Sequence, residues 1–193
     1  MNDLLTMWER ADERLSRRLV GLTDAEYLWA PVPHAWTVYE GTNGWTYDYD
    51  FAPPPPAPVT TIAWRLVHIA ANNWIYWDYA FGAGVKTFPD LTVPSTADDA
   101  IRNWRASAAP VAAWLAGAKP AEFDEPRPNH LGPDRPAGHI VGILLDELIH
   151  HGAEIALLRD LHLRAPRTLV AEGVPLGGTD AVEAERNENS GPD

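Results

Sequence analysis

The sequence contains no cysteine. That excludes disulfides, thiolate metal sites and a catalytic thiol within the chain, so any sulfur chemistry must draw its sulfur from a cosubstrate. Long apolar runs are missing as well: charge interrupts every hydrophobic segment before it reaches the roughly 18 residues of a membrane span. The opening MNDLLTMWERADERL carries acids and bases from its start and has no apolar signal-peptide core. A cytoplasmic protein with no membrane partner is the expectation. Basic residues are scarce: 15 Lys and Arg stand against 27 Asp and Glu, a formal charge of −12. Such a balance argues against nucleic acid as a partner, because phosphate backbones are held by basic patches. Also absent are an internal repeat, a G-x-S-x-G elbow, a Gly-rich phosphate loop and the zinc-protease His-Glu-x-x-His.

What is present is a chain of 193 residues, 46% apolar, enough for one domain with a sizeable core. Four stretches have helical periodicity. They run from about Asp3 to Leu22, Thr60 to Phe81, the cap signal at Ser95–Thr96 to Leu115, and Ala137 to Leu163, with a short turn of helix expected at Asp24–Tyr27. Thr60 or Thr61 caps the second stretch, Gly82 ends it and Gly117 stops the third. The connections are rich in Pro and Gly and will not continue a helix. They are also long, so a simple up-down-up-down bundle is not forced. Pro53 to Pro56 forms a stiff spacer, or less plausibly a ligand for proline-reading domains. Residues 166–193 are acidic, Gly-rich and aperiodic, and read as a solvated tail outside a bundle domain at 1–165. Most of the nine tryptophans should line the core or a pocket.

The fourth stretch holds an anomaly, DELIHHGAEI. At about 100° per residue, Glu154, His151 and His150 all fall within roughly 60° of Glu147, in the same sector as Ile140, Ile143, Leu144, Leu158 and Leu161. Asp146 falls outside it. Acids and imidazoles in an apolar stripe are costly unless they are paired or bind metal. On the second stretch His68 shares a sector with Trp64, Asn72, Ile75 and Tyr79. His68, Glu147 and His151 therefore form a plausible three-ligand set for Zn²⁺ or Ni²⁺, with Fe²⁺ or Mn²⁺ as alternatives. Three protein ligands leave positions open, as catalytic rather than structural sites do. The plainer alternatives are a hydrogen-bonded core histidine at His68, a surface pair at Glu147 and His151, and a partly exposed His150. Glu147-x-x-His150 also has the spacing of di-iron carboxylate bundles, but the second Glu-x-x-His such a site needs is absent. His34, His130 and His162 lie in loops or at a helix end and are expected to be exposed, and His139 opens the fourth helix.

The stretches WRLVHIAANNWIYWDYAFG and LLDELIHHGAEIALLRDL resemble the two ligand helices of the DinB-like family of metal-binding four-helix bundles. The resemblance covers about residues 1–165. It implies an all-α, up-down-down-up bundle, often a homodimer, with His68, Glu147 and His151 as metal ligands. The commonest family pattern is three histidines. Glu147 stands where the first histidine of the His-x-x-x-His usually is, which adds negative charge to the site. Relatives of known activity use a low-molecular-weight thiol such as mycothiol or bacillithiol in isomerisation or S-transfer. In this chain the resemblance implies that such a thiol, ionised at an open metal position, would supply the sulfur that the missing cysteine cannot. His150 or Glu154 is the expected proton relay or second-shell support for His151. Trp64, Arg65, Asn72 and Tyr79 are the expected substrate-binding residues. The aromatic segment around Trp36, Tyr39, Trp45, Tyr47 and Tyr49 either roofs the pocket or packs as a cap over one end of the bundle. Rival functions are metal-dependent hydrolysis, in which the metal activates water, and metal binding without catalysis, which predicts a closed site.

Overall fold

The computed structural model describes residues 3–52 and 54–165. Four long helices, α1 (Asp3–Leu19), α3 (Ile62–Phe81), α4 (Ala97–Gly117) and α5 (Ala137–His162), enclose one hydrophobic core, and α2 (Asp24–Tyr27) is a single turn after the first. Side-chain contacts give the helix directions. Trp74 meets Asn103 and Phe81 meets Trp114, so α3 and α4 run parallel. Leu15 lies against Gly152 and Arg18 bonds Asp160, so α1 and α5 run parallel as well. His68 meets Glu147 near the place where Arg65 meets Glu154, so α3 and α5 are antiparallel. The bundle is therefore up-down-down-up, as expected, and the connection from Gly82 to Thr96 carries the chain back between two parallel helices.

Helices α3 and α4 begin where the sequence signals a cap. The Thr61 hydroxyl accepts from the Trp64 amide and Thr96 does the same for Asp99, satisfying donors that have no intrahelical partner. Gly82 closes α3, and a Cβ there would lie 2.7 Å from an Asp78 carboxylate oxygen, leaving no room for a side chain. Helix α1 stops at Leu19, one turn short of the expected Leu22. The core is built from Trp8, Leu15, Ile62, Leu66, Trp104, Leu144, Leu148 and Ile155, all essentially buried. Leu161, expected in the apolar sector of α5, is 45% exposed, because it lies roughly 100–140° around the helix from Leu144, Leu148 and Ile155, the α5 residues that fill the core.

Two hairpins lie in the connections. The first, VYEGTNGWTY, carries a hairpin signal that helical periodicity does not register, β-branched and aromatic residues around Asn43-Gly44, and the second has none. Strands β1 (Val38–Gly41) and β2 (Gly44–Tyr47) pair antiparallel with Val38 opposite Tyr47, and β3 (Pro126–Asn129) pairs with β4 (Gly132–Pro136). The segment around β1 is tied to the start of α3: Trp36 bonds Val59 and Thr61 through the backbone, and the Trp64 indole donates to the Asp48 carbonyl at 2.6 Å. Trp36 packs on Trp64, while Tyr39 and Trp45 remain substantially exposed. Among the described residues no helix is long and apolar enough to cross a membrane. The acidic stretch 166–193 lies outside the described residues.

Candidate metal centre

The antiparallel packing of α3 against α5 brings His68 and Asn72, one turn apart, onto Glu147 and His151, also one turn apart. One oxygen, Glu147 Oε2, is the focus. It lies 3.1 Å from His68 Nε2, 3.0 Å from His151 Nε2 and 2.9 Å from Asn72 Nδ2, which donates to it. The His68 and His151 rings meet edge to face, 4.9 Å between centres. Each of His68, Glu147 and His151 offers a donor atom, all within 4.8 Å of one another. Ligand atoms bound at 2.0–2.1 Å around a tetrahedral ion lie about 3.3 Å apart, so this spacing fits a small divalent ion with little movement. The donor set, two imidazoles and a carboxylate, has the right chemistry for it.

A second layer fixes these ligands. His151 Nδ1 lies 2.6 Å from Glu154 Oε2, and that same oxygen is 2.9 Å from Arg65 Nε. This is the outer-shell carboxylate that metal-ligating histidines commonly have. His68 lacks such a partner among the described residues: its Nδ1 is buried and unbonded, and the ring is held instead by the face of Trp64, stacked at 4.7 Å and 13°. His150, His151 and Glu154 form a second possible ligand group. There the Arg65 guanidinium already supplies positive charge to Glu154, and the His150 side chain is 62% exposed. The first set is the better site.

The electrostatics follow from burial and these contacts. Burial pushes the Glu147 carboxyl up, but the hydrogen bonds from His151 and His68 outweigh it and hold the group well below the usual carboxylate range. Burial lowers the His68 imidazolium, and that effect prevails, so His68 is neutral; a shift of its one proton from Nε2 to Nδ1 frees the Nε2 lone pair for an ion. For His151 burial also works downward, but hydrogen bonds to Glu147 and Glu154 win and hold its pKa above the ordinary histidine value. Metal must therefore displace a proton from His151, and uptake weakens as pH falls. Replacing Glu154→Gln removes one of the two anions that stabilise the imidazolium. The His151 pKa, followed by NMR titration of the ring, is expected to fall, and metal affinity is expected to drop about 10- to 100-fold through loss of the outer-shell partner.

A cavity of about 440 Å³ opens beside the cluster. His68, Asn72 and Glu147 lie at one end, and Tyr49, Phe51, Tyr76, Tyr79, Phe88 and His130 supply most of the remaining wall. Of the expected substrate-binding residues, Asn72 and Tyr79 line it. Trp64 and Arg65 stand behind the ligands instead, one stacked on His68 and the other paired with Glu154. Within the aromatic segment Tyr49 lines the cavity, and Trp36 packs on Trp64 at the start of α3. His130 corrects an expectation. It is half-buried rather than exposed, because the β3–β4 turn folds it onto Tyr76 and Tyr79. His162 is half-buried too, edge-on to Trp29, whereas His34 is exposed.

A helical bundle whose two antiparallel helices hold a His/Glu/His cluster is a metal-binding bundle in class. The sequence profile of the DinB superfamily matches residues 44–155, more than half of the chain, and the chain belongs to that superfamily. The crystal structure of a conserved protein from Enterococcus faecalis has the same fold. It aligns with a TM-score of 0.50 at 16% identity, over 83% of this chain and 95% of that one. No curated protein matches the chain.

Proposed function

We propose that this protein is a metal-dependent enzyme that transfers or isomerises a small substrate with the help of a low-molecular-weight thiol, mycothiol or a relative of it. The observation that carries this reading is a three-donor cluster at the end of a substrate-sized cavity, in a chain with no sulfur nucleophile of its own. His68, Glu147 and His151 hold a divalent ion, Zn²⁺ or Ni²⁺ first, with Fe²⁺ and Mn²⁺ as alternatives. When bound, that ion lowers the pKa of a coordinated thiol or water and polarises the substrate. Asn72 keeps the Glu147 carboxylate turned toward the ion. Glu154 holds the Nδ1 proton of His151, Arg65 steadies Glu154, and the exposed His150, 3.4 Å from Glu154, links that pair to solvent. The open cavity favours catalysis over metal binding alone, for which a closed site is expected. The superfamily resemblance also supports a homodimer.

The test is turnover of electrophilic substrates by zinc- and nickel-loaded protein with mycothiol, bacillithiol, glutathione or free cysteine. The expected result is turnover that requires a thiol and disappears in His68→Ala. Turnover of esters or amides without thiol replaces this reading with hydrolysis. No turnover in either assay, with metal bound, overturns the enzymatic assignment.

A further inference from the structure

The far wall of the cavity holds a polar group that the metal chemistry does not use. His130 sits at the tip of the β3–β4 hairpin, and its ring stands edge-on to Tyr76, 4.3 Å between centres at 89°, and tilted against Tyr79 at 5.7 Å. Its Nδ1 is buried without a hydrogen-bond partner among the described residues. The other ring nitrogen, Nε2, is accessible and has no protein hydrogen-bond partner among the described residues, so it is the atom a ligand in the cavity lined by His130 can bond. Burial lowers the His130 pKa, so the ring is neutral and offers one donor and one acceptor.

The span between the two polar ends is set by α3. His68 and Tyr76 both line the cavity, about two turns apart, roughly 12 Å at 1.5 Å per residue. The rest of the wall is mainly aromatic: Tyr49 and Phe88 lie 4.9 Å apart and Tyr76 and Phe51 also line it, while Lys86 and Thr87 add polar groups. Burial and the Glu147 charge raise the Tyr76 phenol, which stays neutral and hence compatible with an apolar body next to it. An aliphatic ligand would fill this space, but a ring stacks on it, with the added attraction of aromatic pairs.

We propose that the cavity binds a flat aromatic acid whose carboxylate faces the His68/Glu147/His151 end and whose opposite, hydrogen-bonding substituent is read by His130. This rests on the metal reading above and names the substrate class for the same site. His130 is then a specificity-determining residue, placed by a hairpin and not by the bundle.

The test is calorimetric titration of the zinc-loaded full chain with benzoate, para-hydroxybenzoate and cyclohexanecarboxylate. In the native protein para-hydroxybenzoate is expected to bind about five- to tenfold tighter than benzoate, the worth of one net hydrogen bond. Cyclohexanecarboxylate is expected to bind more weakly than benzoate. His130→Phe keeps a ring against Tyr76 but loses the polar atoms, so it should erase the hydroxyl preference and leave benzoate within about twofold of native. His130→Gln, which keeps a donor and an acceptor, should restore part of the preference. A hydroxyl preference that survives in His130→Phe, equal binding of the ring and the cyclohexane acid, or binding of none of the three overturns the proposal. Zinc content measured on the same samples keeps the two readings apart. Protein that takes up no zinc overturns the metal assignment and this inference with it, whereas zinc-loaded protein without the hydroxyl preference overturns only the role of His130.

Discussion

Glu147→Ala protein is expected to bind zinc more than about a hundredfold more weakly than the native chain, with His151→Ala showing a loss of the same order. Outer-shell changes already reduce affinity 10- to 100-fold, and removal of a ligand exceeds that. The argument for Glu147 is stronger than ligand counting. Its Oε2 is the atom on which His68, His151 and Asn72 converge, so its removal leaves two imidazoles and an amide facing one another without an acceptor. Metal content by mass spectrometry after dialysis against a buffered zinc series reads the effect directly. Glu147→His, which restores the commoner three-histidine set, should recover much of the affinity. Equal zinc in native, Glu147→Ala and His151→Ala proteins would show that the ion sits elsewhere.

The largest effect on stability is expected far from the metal. Arg159 on α5 makes a two-pronged pair with Glu26 on α2, Nε to Oε1 at 2.7 Å and the second nitrogen to Oε2 at 3.0 Å. The side chains are 13% and 5% exposed. The same guanidinium donates to the backbone carbonyls of Arg18, in the last turn of α1, and Val20, just past its end, so one residue joins three elements. Arg159→Ala strands a buried carboxylate and two carbonyls, and breaking such a pair typically destabilises by about 3–5 kcal/mol. Urea unfolding of the variant should show a loss of that size. The double variant Glu26→Gln with Arg159→Met should be milder than Arg159→Ala alone, because no unpaired charge remains. A loss below about 1 kcal/mol in Arg159→Ala would place the pair among ordinary surface salt bridges.

The helices were legible because their information is local. Thr61, Thr96 and Gly82 act through neighbours three or four residues away, and an apolar stripe repeats within each segment. The ligand pair Glu147 and His151 was legible for the same reason, and His68 stood out as a polar residue in an apolar sector. What the sequence hid depends on partners distant in the chain. Strands β3 and β4 hold Pro126, Pro128, Pro133 and Pro136 and bury almost nothing, so no two-residue alternation marks them. His130 reaches the cavity only because that hairpin folds back on α3, and nothing adjacent to it in sequence announces the contact. The helical wheel placed Trp64 and Arg65 near His68 correctly in angle. It could not show that Trp64 would lie flat on the ring, or that Arg65 would turn to Glu154 and leave the cavity to residues from the loops.

Glu147 has one more consequence, in the charge of the centre as a whole. Two neutral imidazoles and one carboxylate reduce a divalent ion to a single net positive charge, where three histidines would leave it two. Beside a largely aromatic wall, unbalanced charge is costly, and Lys86 in that wall adds a further positive charge. One thiolate or one carboxylate then brings the assembly to neutrality, whereas a doubly charged ligand overshoots and a neutral one leaves it cationic. With an ion bound, the glutamate would thus act as a filter on ligand valence, favouring anions of low charge before shape or hydrogen bonding discriminates among them.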